Sequence, residues 1–225
     1  MNMNGKGKPR SITPDRILEQ VRIDIVTRRY KAGDKVVESE IADRFYASRG
    51  SVRSALQTLE NEGLIRMLAN GRKEVVGFSL KNAIDMYELR WMIENRAIEI
   101  ALEKRTTYFL PLITVLRQIE LMSKEEQEQA DWYALDIDFH RALVQTADNG
   151  PLLKAWEINS PVMYALMQLN TTKGYRENYI HDFYKKHRQI FDLMITDNED
   201  CFSVLKEHIM AAQAISSDVL TKYDL

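Results

Sequence analysis

The chain has 225 residues, 45% hydrophobic and 28% charged, which is an ordinary globular composition with length for one large or two small domains. No apolar run approaches the roughly 20 residues of a membrane span and no signal peptide is visible, so a cytoplasmic protein with no membrane partner is expected. The single cysteine, Cys201, excludes an internal disulfide and reads as a small core residue in a reducing compartment. A net charge of −2 argues against a uniformly basic nucleic-acid coat, but the charge is unevenly spread. Residues 1–78 carry 15 Lys/Arg against 10 Asp/Glu, a balance of +5, while the remainder carries 16 against 23, or −7. A basic first third on an acidic remainder suits a DNA-binding domain joined to something else.

Residues 1–11 read as a flexible polar arm with Lys6, Lys8 and Arg10. Thr13-Pro14 is a helix start, and Ile17, Val21 and Ile25 mark an amphipathic helix to about Arg29. The loop Tyr30–Val36 holds the turn Ala32-Gly33-Asp34. A short helix over Ser39–Phe45, a turn and a second helix over Arg49–Glu62 follow, with Ser48 as N-cap and Gly63 past the end. Val52, Ala55, Leu56 and Leu59 form one apolar stripe of that second helix, while Arg49 and Arg53 share another face with Ser54 and Gln57 beside it. Strands at Leu64–Leu68 and Lys73–Gly77, joined by a two-residue Asn70-Gly71 turn, add a ribbon with Arg72 and Lys73 near its tip. A helical hairpin with solvated arginines would show the same periodicity. The order helix, turn, capped helix, ribbon favours a winged helix-turn-helix over residues 12–78, which offers its second helix to a DNA major groove.

Residues 79–81 read as a linker. Beyond them lie six helical patterns and no strand signal, near Asn82–Lys104, Phe109–Met122, Asp131–Ala147, Pro151–Leu169, Glu177–Ile195 and Glu199–Leu220. Ser123–Gln129 is polar and can prolong either neighbour. The fold class is mainly α, with a winged helix-turn-helix followed by an all-α helical bundle over residues 82–222.

The second half shows its chemistry in polar residues that interrupt apolar stripes. In the first of its helices Arg90 stands among Met86, Ile93, Ala97 and Ile100. A buried guanidinium needs a partner, and either Glu94, one turn on, or an anionic ligand gripped by the guanidinium fork can supply it. In the third helix Asp136 and His140 lie on a stripe with Trp132, Phe139 and Leu143, and at i and i+4 both reach one point. His187 sits among Ile180, Phe183, Ile190 and Met194, and His208 among Val204, Ala212 and Ile215. Each histidine alone reads as a satisfied core residue. Together with Asp136 they make an N₃O ligand set suited to Zn²⁺, Ni²⁺, Mn²⁺ or Fe²⁺, with Zn or Ni favoured. The fourth histidine, His181, falls off its stripe and is expected at the surface.

Two runs of motifs carry a family resemblance. Tyr30–Val36, Ser39-Glu40-Ile41-Ala42, Ser48–Leu56 and Leu59–Ile65 resemble the DNA-binding domain of GntR-family transcription regulators. That resemblance implies DNA contacts from Ser48, Arg49, Ser51, Arg53 and Gln57, with the Gly71 wing tip and Arg72 entering the adjacent minor groove. The chain departs from the pattern at Tyr46, where a turn glycine is usual, at Gly50-Ser51 in place of Thr-Pro, and at Ser54 in place of a common glutamate. Tyr87–Glu94, Asp136–His140, Asp148–Leu152 and Lys186-His187-Arg188 resemble the FCD effector domain of the FadR subfamily. It implies a divalent metal on Asp136, His140, His187 and His208, completed by a small carboxylate, with Arg90 as the carboxylate clamp and Asn149 as a further effector contact. A dication and Arg90 outweigh one Asp, which supports an anionic effector.

The function expected is a DNA-binding transcription regulator, a repressor, working as a homodimer on a pseudo-palindromic double-stranded operator under control of a small carboxylate. The same residues would serve a metal sensor in which the ion is the signal. A metal-dependent phosphohydrolase would need a general base, for which Glu94, Asp138 and the His181-Asp182 pair are the nominees. The regulator reading makes the protein no enzyme.

Overall fold

The computed structural model describes residues 13–105, 108–122, 124–172 and 176–222, with side chains for all of these except 124, 128, 171–172 and 176–182. The arm expected over residues 1–11 lies outside the described residues. The chain parts into two compact units between Phe78 and Ser79.

In the first unit α1 (Pro14–Val26) starts at Pro14, whose missing N–H costs nothing in a first turn. It buries Ile17, Val21 and Ile25 against α3. The helix-turn-helix is α2 (Glu38–Phe45) and α3 (Arg49–Asn61). The side chain of Ser48 caps α3 by accepting the Ser51 N–H at 3.1 Å. Val52, Ala55, Leu56 and Leu59 are buried, as their spacing predicts. A buried two-bond pair from Arg22 to Glu62, at 2.8 and 2.6 Å, ties α1 to the end of α3.

The wing is a three-stranded antiparallel sheet in the order β1-β3-β2, from β1 (Lys35–Val36), β2 (Ile65–Met67) and β3 (Lys73–Val75). Strand β1 falls in the stretch expected to be a loop, and at two residues it is too short to leave a period-2 pattern. The wing turn is wider than the two-residue Asn70-Gly71 turn that the sequence suggests. Leu68 and Arg72 pair at 2.7 Å and the Gly71 N–H returns to the Leu68 carbonyl at 2.9 Å, so Ala69, Asn70 and Gly71 form the loop. Only Gly71 takes a positive φ, +78°, whereas a type I′ turn needs two such residues.

The second unit is all helical: α4 (Leu80–Glu103), α5 (Leu110–Glu120), α6 (Lys124–Gln129), α7 (Trp132–Gln145), α8 (Gly150–Thr172), α9 (Arg176–Ile195) and α10 (Asp200–Lys222). Helix α4 starts within residues 79–81, the stretch expected to be a linker. Ser79 and Asn82 form a reciprocal capping box, at 2.9 and 3.2 Å, which starts α4 at Leu80. The polar stretch before Trp132 makes its own helix, α6, because Gln127 bonds back to the Met122 carbonyl and the Trp132 indole bonds to the Gln127 carbonyl. Helix α4 packs on α7, α8 and α10. Its buried face runs through Ala83, Tyr87, Arg90, Glu94, Ala97 and Ala101, so Met86 is only half-buried and Glu94 faces inward.

Tyr46 sits in the left-handed region at φ 50° and ψ 39°, closing α2 with an exposed side chain. A side chain bearing Cβ is strained there. Replacing Tyr46 with Gly is expected to stabilise the first unit by about 1 kcal/mol, read as a raised denaturant midpoint; an unchanged or lowered midpoint would show that the tyrosine ring compensates the strain.

Candidate functional site

Three helices of the second unit bring their inward polar residues to one point. Helix α7 contributes Asp136 and His140 on successive turns, α9 contributes His187 and α10 contributes His208. One ligand atom from each lies within 4.8 Å of all the others. His140 Nε2 stands 3.1 Å from His208 Nε2 and 3.3 Å from His187 Nε2. Asp136 Oδ1 is 3.1 Å from His187 Nε2 and 3.8 Å from both His140 Nε2 and His208 Nε2. An ion bound at about 2.0–2.2 Å holds neighbouring ligand atoms roughly 3–3.5 Å apart, so the spacing fits one cation.

The outer shell fixes which ring nitrogen faces that point. His140 Nδ1 is 2.6 Å from Glu94 Oε2, and His187 Nδ1 is 2.7 Å from the Phe183 carbonyl one turn back. A carbonyl only accepts, so His187 Nδ1 carries the proton and its Nε2 presents a lone pair. With His140 donating to Glu94 in the same way, the Nε2 lone pairs of His140 and His187 converge with Asp136 Oδ1 and His208 Nε2, a donor set that a cation satisfies. Burial holds His140 and His208 well below the usual imidazole range, hence neutral and ready to ligate. Burial pushes the Asp136 carboxyl up, but its charged and hydrogen-bonding neighbours, the Arg90 guanidinium among them, hold it well below the usual carboxylate range. Phe139 and Phe183 wall the cluster, with ring centres 4.5 and 4.1 Å from that of His187.

Arg90 is wholly buried and meets Glu94, the partner that the sequence offered as the alternative to an anion, together with Asp136. Its Nε donates to Glu94 at 2.9 Å and its Nη2 donates to Asp136 Oδ2 at 3.2 Å. Among the described residues its Nη1 has no hydrogen-bond partner. Glu94 is also fully buried, which raises its carboxyl to about 7 against the pull of Arg90. One carboxylate therefore serves Arg90 and His140 together. Sequence reading weighed Glu94 as a partner for Arg90 and as a nominee for a general base, not as a bond partner of His140; the signal for more was its place at i+4 from a buried cation.

Asn149 is placed otherwise. Its side-chain oxygen accepts the Leu152 N–H at 3.1 Å and caps α8, and no hydrogen bond joins it to the cluster. Asp138 lies on the exposed face of α7, away from the converging ligands. The side chains of His181 and Asp182 lie outside the described residues.

In the first unit Arg49, Arg53 and Gln57 are exposed along one face of α3, and Ser51 is half-buried beside the Ser48 cap. Arg53 forms a parallel two-bond pair with Glu38 of α2, at 3.4 and 3.1 Å. Gly71 and Arg72 are exposed at the wing tip, and among the described residues the side chains of Arg49 and Arg72 form no ion pair. Lys73 is drawn back to Glu60 at 2.5 Å. No helix among the described residues is long and apolar enough to cross a membrane.

Comparison with known proteins places both units. Residues 13–74 match the family of bacterial regulatory proteins called gntR, and residues 85–211 match the FCD domain. The gluconate operon transcriptional repressor of Bacillus subtilis is 29% identical over 171 residues, covering 73% of this chain and 67% of that protein. An uncharacterized HTH-type transcriptional regulator of the same species, YdhC, is 24% identical over 193 residues, covering 85% and 84%. The solved structure of Escherichia coli McbR/YncC superposes with a TM-score of 0.67 at 17% identity, covering 93% of this chain and 96% of that one, a likeness of fold. The chain belongs to the GntR family of DNA-binding transcription regulators, and its second unit is an FCD domain.

Proposed function

We propose that the protein is a repressor that holds one divalent transition metal on Asp136, His140, His187 and His208 and releases or grips its operator according to a small carboxylate bound there. The observation that carries this is the convergence of four ligand atoms beside a buried guanidinium whose Nη1 has no hydrogen-bond partner among the described residues. Three imidazoles and one carboxylate suit Zn²⁺ or Ni²⁺ best. Charge supports an anionic effector. A dication with Arg90, set against Asp136 and Glu94, leaves one positive charge, one fewer than a count without Glu94 gives. One carboxylate neutralises it. A relative named for the gluconate operon supports an acid as the signal.

The DNA-facing set is Ser48, Arg49, Ser51, Arg53 and Gln57 of the helix-turn-helix with Gly71 and Arg72 of the wing. A cytoplasmic homodimer would set two α3 helices in successive major grooves of a pseudo-palindromic operator. Effector binding then biases the dimer between forms that fit and do not fit that spacing. Three of the four ligands are buried and outer bonds orient two of them, which favours a resident cofactor over an exchanging metal signal.

Metal content decides the first step. The purified wild type is expected to carry about one equivalent of metal and His187→Ala almost none; no metal in either, after supplying Zn²⁺ and Ni²⁺, would make the histidines core residues. Glu94→Gln keeps the shape but weakens the hold on His140, and its metal affinity is expected to fall about 10–100-fold, measured by competition with a chelator. Equal affinity would remove Glu94 from the orienting role. Arg90→Lys keeps a buried positive charge for Glu94 and Asp136 but loses the guanidinium fork; it is expected to leave operator binding without effector intact and to weaken the response to carboxylates in a gel-shift titration, and an unchanged response would end the role of Arg90 as clamp.

A further inference from the structure

Among the described residues, two buried donors without partners belong to neighbouring side chains, the Arg90 guanidinium lying over the Trp156 ring next to the ligand cluster. Arg90 and Trp156 are among the largest fully buried side chains in the chain, and each keeps one N–H without a hydrogen-bond partner: Nη1 of the arginine and the indole Nε1 of the tryptophan. Native cores leave few such groups unpaired, and each one asks for an explanation. The guanidinium carbon lies 5.6 Å from the Trp156 ring centre, and the His140 ring centre lies 6.4 Å from it. Arginine and tryptophan N–H groups only donate. They cannot satisfy each other, so what satisfies both is an acceptor. The other unpartnered buried side-chain atom found among the described residues, Asn170 Oδ1, belongs to a separate network, in which its amide nitrogen bonds Ser216 at 3.1 Å and Ser216 bonds Tyr87 at 2.9 Å.

We propose that Trp156 is a specificity-determining residue of the anion site, its indole N–H and Arg90 Nη1 donating together to the oxygens of a carboxylate that meets the metal. This rests on the metal reading above. The two donors come from different helices, Arg90 from α4 and Trp156 from α8, so a bound carboxylate bridges these helices by hydrogen bonds that neither makes to the other. Because both groups donate, the subsite takes an oxygen anion and rejects a neutral donor such as an ammonium or amide N–H in the same place. The indole N–H fixes the anion's direction, while Arg90, already bound to Glu94 and Asp136, supplies its charge.

The test uses the full chain loaded with Co²⁺ and titrated with acetate, following the visible absorption of the ion. Wild type is expected to bind about one equivalent of cobalt and to show a saturable spectral change with acetate. Trp156→Phe keeps an aromatic ring and loses the donor. It is expected to hold cobalt with the same stoichiometry and acetate-free spectrum, and to need about tenfold more acetate or beyond for half-saturation, the cost of one hydrogen bond to a charged group. Where the phenylalanine variant does not fold, benzothienylalanine at position 156, with sulfur in place of the N–H, gives the same reading in the same ring shape. Equal half-saturation in these variants, or no acetate response in a wild type that does bind cobalt, overturns the role of Trp156 and leaves the metal site standing. A wild type that binds no cobalt overturns the metal reading and this inference with it.

Discussion

A charged guanidinium in the interior of a helical bundle is the constraint on which the second unit turns. Burial of an unpaired cation costs several kcal/mol, roughly, and Arg90 is 1% exposed. It stays charged because two carboxylates reach it from different helices, Glu94 one turn along α4 and Asp136 across from α7. Each carboxylate spends only part of its capacity on the arginine. Glu94 also takes the His140 Nδ1 position, and Asp136 turns its other oxygen to the histidine cluster. Removing Arg90 would therefore leave two buried acids without their counter-charge, and removing Glu94 would strand both a cation and an imidazole. Arginine, acid and histidine form one connected network whose members share their costs.

That network sets direction as well as charge. An imidazole can offer either nitrogen, and which one it offers depends on what the other is bonded to. Glu94 and the Phe183 carbonyl occupy the Nδ1 sides of His140 and His187, so both rings turn Nε2 inward. The Phe183 carbonyl belongs to the same helix as His187, and its use as an acceptor needs only the i−4 spacing of α9. The Glu94 bond is different in kind, since it couples α4 to α7 across the core. A site built this way depends on one local bond that any helix provides and one tertiary bond that only this packing provides.

The same division explains what could be read from the chain before the structure. Stripes at three- and four-residue spacing placed Asp136, His140 and His187 inward, and the structure buries all three; His208 lies at the margin of the α10 core stripe, its side chain 12% exposed. Periodicity fixes a face to within about one residue, and that tolerance mattered on α4. A stripe drawn through Met86 and Ile93 leaves Glu94 at the edge, whereas the buried face runs through Tyr87 and Glu94. Local chemistry placed the Ser48 cap and the α3 stripe. It did not place β1, whose two residues exist as a strand only because β3 pairs with them, nor α6, which is held by bonds to Met122 and Trp132 rather than by an apolar stripe. The start of α4 at Leu80 went unread for a plainer reason: Ser79 with Asn82 is a capping pair, and Asn stands where a Glu or Gln would have announced it.

Trp156 marks where reading from sequence stops. An aromatic residue inside an apolar helix predicts burial and nothing more. Its indole N–H becomes informative only when the surrounding atoms are known, because an unmet donor is a property of the neighbourhood and not of the residue. The same holds for Arg90 Nη1. Sequence reading set Glu94 and an anion against each other as partners for this guanidinium, yet a guanidinium has five N–H groups on three nitrogens and need not choose. Glu94 and Asp136 take Nε and Nη2, and the third nitrogen remains. Among the described residues, two buried donors left open beside four converging ligand atoms have the asymmetry of a binding site, because a core optimised for stability alone would have closed them or replaced them with carbon.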